Sequence, residues 1–439
     1  MRLAIDINSV EIFERCPNTR NRETQLEQNE EKQRDDNDRN ERESNFFYVG
    51  HAALSSDNRE NDCIPKHSVV KRHPVVRDHW LEACRLSQEN RCACGKRGTA
   101  LQNIEEWQSV DRAVFENEIF PANRPAVLRG LLRDWPAVQA GCHSPARVVD
   151  YFKRFDSGAM ITAMVGAPEI RGRFFYTDDF KGFNFESKNV PFSTALDTFV
   201  SLAEDPQPPA IALQALHVPD ITPPFLADNA MPLLDSDTTP RIWINNRTMI
   251  ATHFDNNHNI ACVVGGSRRF TVFPPEQVSN LYIGPLLKTP GGTPISTVDL
   301  REPDYTKFPR FRQALESAQE AVLEPGDAIY IPILWWHGVE SLEPLNILVN
   351  YWWNDTLPAN HKPILALIHS AALMSGLPAE QREVWRTFFD YFAFQKEDDP
   401  GAHLPSDLRD AVGNLSSADR DQVLAFVAER LKALVGQGG

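Results

Sequence analysis

Thr252-His253-Phe254-Asp255-Asn256-Asn257-His258-Asn259-Ile260-Ala261-Cys262-Val263-Val264-Gly265-Gly266-Ser267-Arg268-Arg269-Phe270-Thr271-Val272-Phe273-Pro274-Pro275 sets two short apolar runs on either side of a Gly-Gly turn and closes on Pro-Pro. Ile260–Val264 and Arg269–Phe273 are strand-length segments bounded by turn residues, so both read as β. The same texture extends outward. Ala210–Leu216 and Arg241–Asn245 precede the stretch, and Ala328–Ile331 and Asn346–Trp353 follow it, with a turn at Glu324-Pro325-Gly326-Asp327. Many short strands between turns predict a mainly β domain, a double-sheet barrel or jelly roll. Any β-sandwich would give this texture, so it fixes the class and not the function.

Upstream, Arg124–Gly130 reads as a short strand entering a turn, Trp107–Phe120 has helical spacing, and the aromatic-rich Phe152–Phe185 suggests strands around a loop. Residues 17–45 are nearly all Asn, Arg, Glu, Gln and Asp and cannot bury enough apolar surface to offset ordering entropy. Residues 1–103 are therefore expected to be a disordered or poorly structured extension. After Pro358 the pattern turns helical: Ile364–Met374, Glu380–Phe394, and a last helix opened by Ser416-Ser417-Ala418-Asp419 in the manner of a capping box. In that helix Val423, Phe426, Val427, Leu431 and Leu434 share a face, to be covered by the barrel itself or by a second copy. The expected division is thus 1–103, a β domain over 104–357, and a helical region over 358–439.

Composition narrows the function classes. A net charge of −15 argues against general affinity for nucleic-acid backbones. Seven irregularly spaced cysteines do not form a disulfide framework, and Cys84, Cys92 and Cys94 with His79 match no standard zinc spacing. The N-terminus has no signal-peptide core, and no apolar run approaches the roughly 20 residues that cross a bilayer. A cytoplasmic protein is expected.

The chemistry gathers at His253-Phe254-Asp255 and the distant Trp335-Trp336-His337. Two His and one carboxylate on one face of an octahedron hold iron(II) in oxygenases and leave positions free. His253 and Asp255 are two apart, so on an extended chain they point the same way, and a third ligand can arrive from a remote strand. A single His-x-Asp is close to what chance supplies among 12 histidines; here it is the only one in the chain. His337 alone reads equally as a hydrogen-bonded core histidine.

Taken together, Thr-His-Phe-Asp-Asn-Asn-His-Asn from 252, Gly-Gly-Ser-Arg-Arg-Phe-Thr-Val-Phe-Pro-Pro-Glu-Gln from 265, and Glu-Pro-Gly-Asp-Ala-Ile-Tyr-Ile-Pro-Ile-Leu-Trp-Trp-His from 324 resemble the cupin-like JmjC oxygenases. That group includes the asparaginyl hydroxylase that modifies the hypoxia-inducible factor. The resemblance implies a double-stranded β-helix core with flanking helices, and Fe(II) on His253, Asp255 and His337. It further implies 2-oxoglutarate as cosubstrate, with its distal carboxylate on Arg268 in place of the family's more usual Lys. A guanidinium grips a carboxylate bidentately, and Arg269, next along the strand, points to the opposite face. Asn259, Asn350 and Gln214 match positions near iron or 2-oxoglutarate, and Trp352 is expected in the same cavity. Two hydroxyl donors of the family are replaced, by Ile250 and Ala212, leaving Thr252 or Tyr176 to compensate. The implied activity is hydroxylation of a protein side chain, a peptide or a small molecule, with succinate and CO2 as co-products. The alternative is a non-catalytic cupin-like protein that binds a metal or ligand. In the hydroxylase the C-terminal helices make a homodimer, so dimerisation is one of the two coverings expected here.

Overall fold

The computed structural model describes residues 101–354, 362–396, 398–405, 409, 412–413 and 415–436. The expected disorder of residues 1–100, and Cys84, Cys92, Cys94 and His79, lie outside the described residues.

The described residues form fourteen strands: β1 (Gln102–Asn103), β2 (Glu105–Gln108), β3 (Ala126–Arg129), β4 (Met160–Gly166), β5 (Glu186–Pro191), β6 (Ala210–His217), β7 (Pro240–Asn245), β8 (Met249–His253), β9 (His258–Gly265), β10 (Arg268–Phe273), β11 (Gln319–Leu323), β12 (Ala328–Ile331), β13 (Trp336–Ser341) and β14 (Asn346–Trp353). They make two sheets, in the orders β1-β11-β10-β13-β8 and β2-β3-β12-β9-β14-β7-β6-β4-β5. From β7 to β14 the chain repeatedly crosses from one sheet to the other, which is the jelly-roll core expected from the sequence.

The larger sheet is buried on both faces, which explains why β9 reads as an almost unbroken apolar run. Ile260, Cys262 and Val264 point outward against helices Pro136–His143, Pro145–Lys153 and Phe192–Ser201, while Ala261 and Val263 point into the barrel with Phe270, Val272, Val339 and Leu348. The first of these helices lies directly on β9: a Cβ built on Gly141 would stand 1.9 Å from the Val264 carbonyl oxygen. Gly266 turns the chain from β9 into β10 at φ +69°, and a Cβ there would meet the Leu345 carbonyl at 2.5 Å. The Pro325-Gly326-Asp327 turn is fastened by its aspartate, which accepts from the Gly130 and Glu324 amides and from Arg129.

Several local expectations change. Trp107 lies in β2, paired in parallel with β3, and helix begins only at Arg112, capped by Asp111. Pairing with β3 overrides the helical spacing there. Residues 101–103, assigned by sequence to the extension, enter the smaller sheet, with Gln102 and Asn103 beside Gln319 and Glu320 of β11. Buried Ile104 follows directly. Within Phe152–Phe185 the first residues are helical, Met160–Gly166 is a strand, and the aromatic segment after it is a loop bridged between Tyr176 and Phe183.

Three C-terminal helices, Pro363–Met374, Ala379–Phe388 and Ser417–Gly436, occur where the sequence placed them, the last capped by Ser416 through the Asp419 amide. They leave Leu365, Trp385, Phe388, Phe392 and Phe426 about half exposed or more. Phe426 and Val427 of the expected stripe are therefore not covered by the barrel; the side chain of Leu434 lies outside the described residues. No described helix is long and apolar enough to cross a membrane.

Candidate metal centre

β8 and β13 are neighbours in the smaller sheet, and their register sets His253 directly opposite His337. Between His337 and Val339 the register shifts: two steps on β13 face three on β8, from His253 to Ile250. This bulge, of the kind found beside active sites, re-aims the end of β8 into the barrel. Asp255, two residues on, brings its carboxylate to the same side. The ligand atoms of His253, Asp255 and His337 all lie within 4.8 Å of one another. The imidazole centroids are 4.2 Å apart, and His337 Nε2 is 3.6 Å from Asp255 Oδ2.

The surroundings prepare each donor. His253 Nδ1 lies 2.9 Å from the Ala251 carbonyl, and His337 Nδ1 lies 3.0 Å from that of Trp335. A carbonyl can only accept, so each Nδ1 carries the proton and each Nε2 keeps its lone pair for a cation. Burial, and next the neighbouring His253, push His337 down to about 4, so it is neutral near pH 7. Asp255 Oδ2 accepts from Asn259 Nδ2 at 3.3 Å and from Trp352 Nε1 at 3.1 Å. Behind them Asn350 Nδ2 donates to Asn259 Oδ1, and Trp243 Nε1 donates to Asn350 Oδ1. Two imidazoles with Nδ1 committed to backbone carbonyls, beside a carboxylate, fit a divalent cation of the iron(II) kind.

The three donors face a cavity of about 140 Å³ that Arg268, Asn245, Gln214, Trp243 and Trp352 also border. Arg268 is buried at 3 % exposure on the barrel face of β10. Its Nη2 donates to the carbonyls of Trp243 and Asn346 and to Asn245 Oδ1, and its Nε has no partner. Burial lowers it to about 9, so it still carries its charge near pH 7. No carboxylate pairs with it among the described residues, and a buried unpaired cation is costly unless an anion arrives. The next residue, Arg269, faces the other way and pairs with Glu340 at 2.5 Å. The two arginines divide as strand parity predicts.

Asn259, Asn350, Gln214 and Trp352 all border this cavity, as does Ile250. Ala212 is buried beside Met164 and Phe174 at its edge. Neither proposed substitute for the lost hydroxyls reaches it: Thr252 lies on the other face of β8, and the Tyr176 hydroxyl donates to the Lys288 carbonyl at 2.6 Å. The reason is positional, since Tyr176 sits on a loop that this bond fixes outside the barrel. Trp243, Asn245 and Ser341, which donates to Asn245 at 2.8 Å, were not singled out from the sequence. Period two along Arg241–Asn245 was the signal for the first two.

Residues 112–358 match the family described as a cupin-like domain. Among curated proteins the chain is similar to Lysine-specific demethylase JMJ31 of Arabidopsis thaliana, 31% identical over 36% of this chain and 28% of the relative. It is 26% identical to Lysine-specific demethylase 8 of Danio rerio, over 55% of each chain. It is also 26% identical to the human bifunctional peptidase and (3S)-lysyl hydroxylase JMJD7, over 58% of this chain and 84% of that one. The chain thus spans about a quarter and about half of the first two relatives.

Proposed function

The chain belongs to the cupin-like domain family, and from that premise we propose that it is an Fe(II)- and 2-oxoglutarate-dependent oxygenase of the JmjC type. His253, Asp255 and His337 would hold the iron, and Arg268 would hold the distal carboxylate of the cosubstrate. One observation carries the reading: a face of two imidazoles and a carboxylate shares a small cavity with a buried guanidinium that no carboxylate pairs with among the described residues. With its cosubstrate and dioxygen, iron bound there supplies an oxidant for a C–H bond, with succinate and CO2 as co-products.

The chain's own residues bind and orient. The two backbone carbonyls fix both imidazole tautomers. Asn259 and Trp352 hold the carboxylate, and Asn350 and Trp243 hold Asn259 in turn. Phe270, Val339, Leu348 and Ile250 keep the chamber apolar and dry. Gln214 is an amide donor at the cavity edge, placed to meet cosubstrate or substrate.

The relatives' names speak of lysyl side chains, which favours a protein or peptide substrate over a small molecule. The exposed apolar faces of the C-terminal helices favour a homodimer over a monomer. A cytoplasmic location belongs to the same reading.

Anaerobic Fe(II) titration followed by 2-oxoglutarate tests it. A metal-to-ligand charge-transfer band should appear in the wild type, vanish in His253→Ala, and need far more 2-oxoglutarate in Arg268→Ala than in Arg269→Ala. Metal binding without the band would favour the non-catalytic cupin reading, which the exchange of a hydroxyl donor for Ile250 supports.

A further inference from the structure

A second, wider groove of about 650 Å³ opens on the other side of Trp352, so that one indole borders both spaces. Arg241 stands at the junction. It lies on β7, on the barrel face shared with Trp243 and Asn245, and its guanidinium is 5.9 Å from the Trp352 ring centroid. Its Nη1 donates to the Ala215 carbonyl at 3.3 Å. Ala215 occupies the bulge where β6 carries one residue more than β7, and its φ is +51°. A left-handed alanine costs about 1 kcal/mol or more, so the local backbone is held there against its preference, with its carbonyl turned to Arg241.

The other basic groups of the groove are matched by carboxylates. Arg112 bonds both Glu116 and Asp235 at 2.7 Å, and His217 sits 2.9 Å from Asp220. Arg241 has no ion-pair partner among the described residues, and a guanidinium offers five N–H donors. Once a carboxylate matches Arg268, Arg241 is the unmatched cation beside the indole that borders both spaces.

Resting on the oxygenase reading above, we infer that the substrate is a peptide chain lying in this groove, with an acidic side chain beside the modified residue held by Arg241. The inner cavity has room for little beyond a cosubstrate and one side chain, so the bulk of the substrate stays outside Trp352. Thr238, Thr239, Asn257 and Asn354 border the groove with neutral groups suited to peptide amides. Arg112 is already held by Glu116 and Asp235, so among the described residues the groove offers no cluster of free cations for a phosphate backbone. Arg241 is therefore a specificity-determining residue, its acidic partner gripped bidentately over the indole face.

The test reads binding rather than turnover. Full-length protein loaded with Mn(II) and 2-oxoglutarate is titrated, by fluorescence polarisation, with short synthetic peptide pools that differ only in carrying Glu, Gln or Lys at randomised positions. The Glu pool should bind about tenfold tighter than the Gln pool. Arg241→Gln should erase that ratio, and Arg241→Lys should keep part of it. The proposal is overturned by preference for the Lys pool, by no preference, by no binding of any pool, by displacement with single-stranded RNA, or by an unchanged ratio in Arg241→Gln. The wild-type ratio stands even if the variant does not fold. Tight binding of the Glu pool, with no succinate formed when Fe(II) and dioxygen replace Mn(II), would sink the oxygenase reading and leave the groove assignment intact.

Discussion

His253 and His337 face each other across β8 and β13 with rings 4.2 Å apart, and each turns its Nδ1 to the carbonyl two residues earlier in the chain. The tautomer that leaves Nε2 free is therefore set by the local backbone. A metal arriving at such a site binds the native state and not the unfolded chain.

Metal should accordingly stabilise the fold. At a hundredfold excess over Kd the gain is about 2.7 kcal/mol, or roughly 5 °C or more in Tm. Differential scanning fluorimetry with Fe(II) or Mn(II) should show this for the wild type and not for His337→Ala. An equal shift in both would remove His337 from the ligand set.

Trp352→Phe deletes the indole donor to Asp255 while keeping the aromatic volume. Metal affinity should fall roughly 10- to 100-fold with the melting temperature of the metal-free protein little changed. Undiminished affinity would show that Asn259 alone orients the carboxylate.

Arg268 is a buried cation awaiting an anion, so its removal should help the fold and harm the function. Arg268→Met should leave the metal-free protein as stable or more stable, by about 1 kcal/mol, while abolishing saturable 2-oxoglutarate binding. Destabilisation beyond about 2 kcal/mol would make the guanidinium a structural hub for Asn245 and Asn346 instead.

Gly141→Ala tests the seat of the helix on β9. Its Cβ would collide with backbone rather than with a movable side chain, so denaturation should report a loss of about 3 kcal/mol. A neutral substitution would mean that helix Pro136–His143 rides higher on the sheet.

If the C-terminal helices pair two copies, Phe392→Glu should convert the species seen by light scattering from dimer to monomer. Wild type already monomeric at micromolar concentration would refute the dimer.

Much of this was legible beforehand, because a strand buried on both faces reads as a short apolar run between turn residues. Parity set Arg268 and Arg269 on opposite faces and the family resemblance put Arg268 inside, while turn residues marked the end of β9 and the start of β12. The strands of the smaller sheet were harder to read. β11 and β13 mix charged residues and a glycine with apolar ones because one of their faces meets solvent or loop. Asn245, Trp243 and Ser341 were missed for a different reason. Their partners lie on strands far away in the chain, and only the register between β7, β10, β13 and β14 shows who meets whom. Trp107 went wrong because a parallel partner decided its state.

The bulge at the end of β8 bears on how this chain can vary in length. Because the bulge already sets three steps of β8 against two of β13, losing one residue between Ile250 and Thr252 would restore plain alternation with the imidazole still opposite His337, whereas losing two would reverse its parity and turn it away. The Gly291-Gly292 turn, which closes no strand register, has no such restriction. Insertions and deletions among descendants of this sequence should therefore collect at the rim, while within β8 only the loss of the single bulge residue should be tolerated.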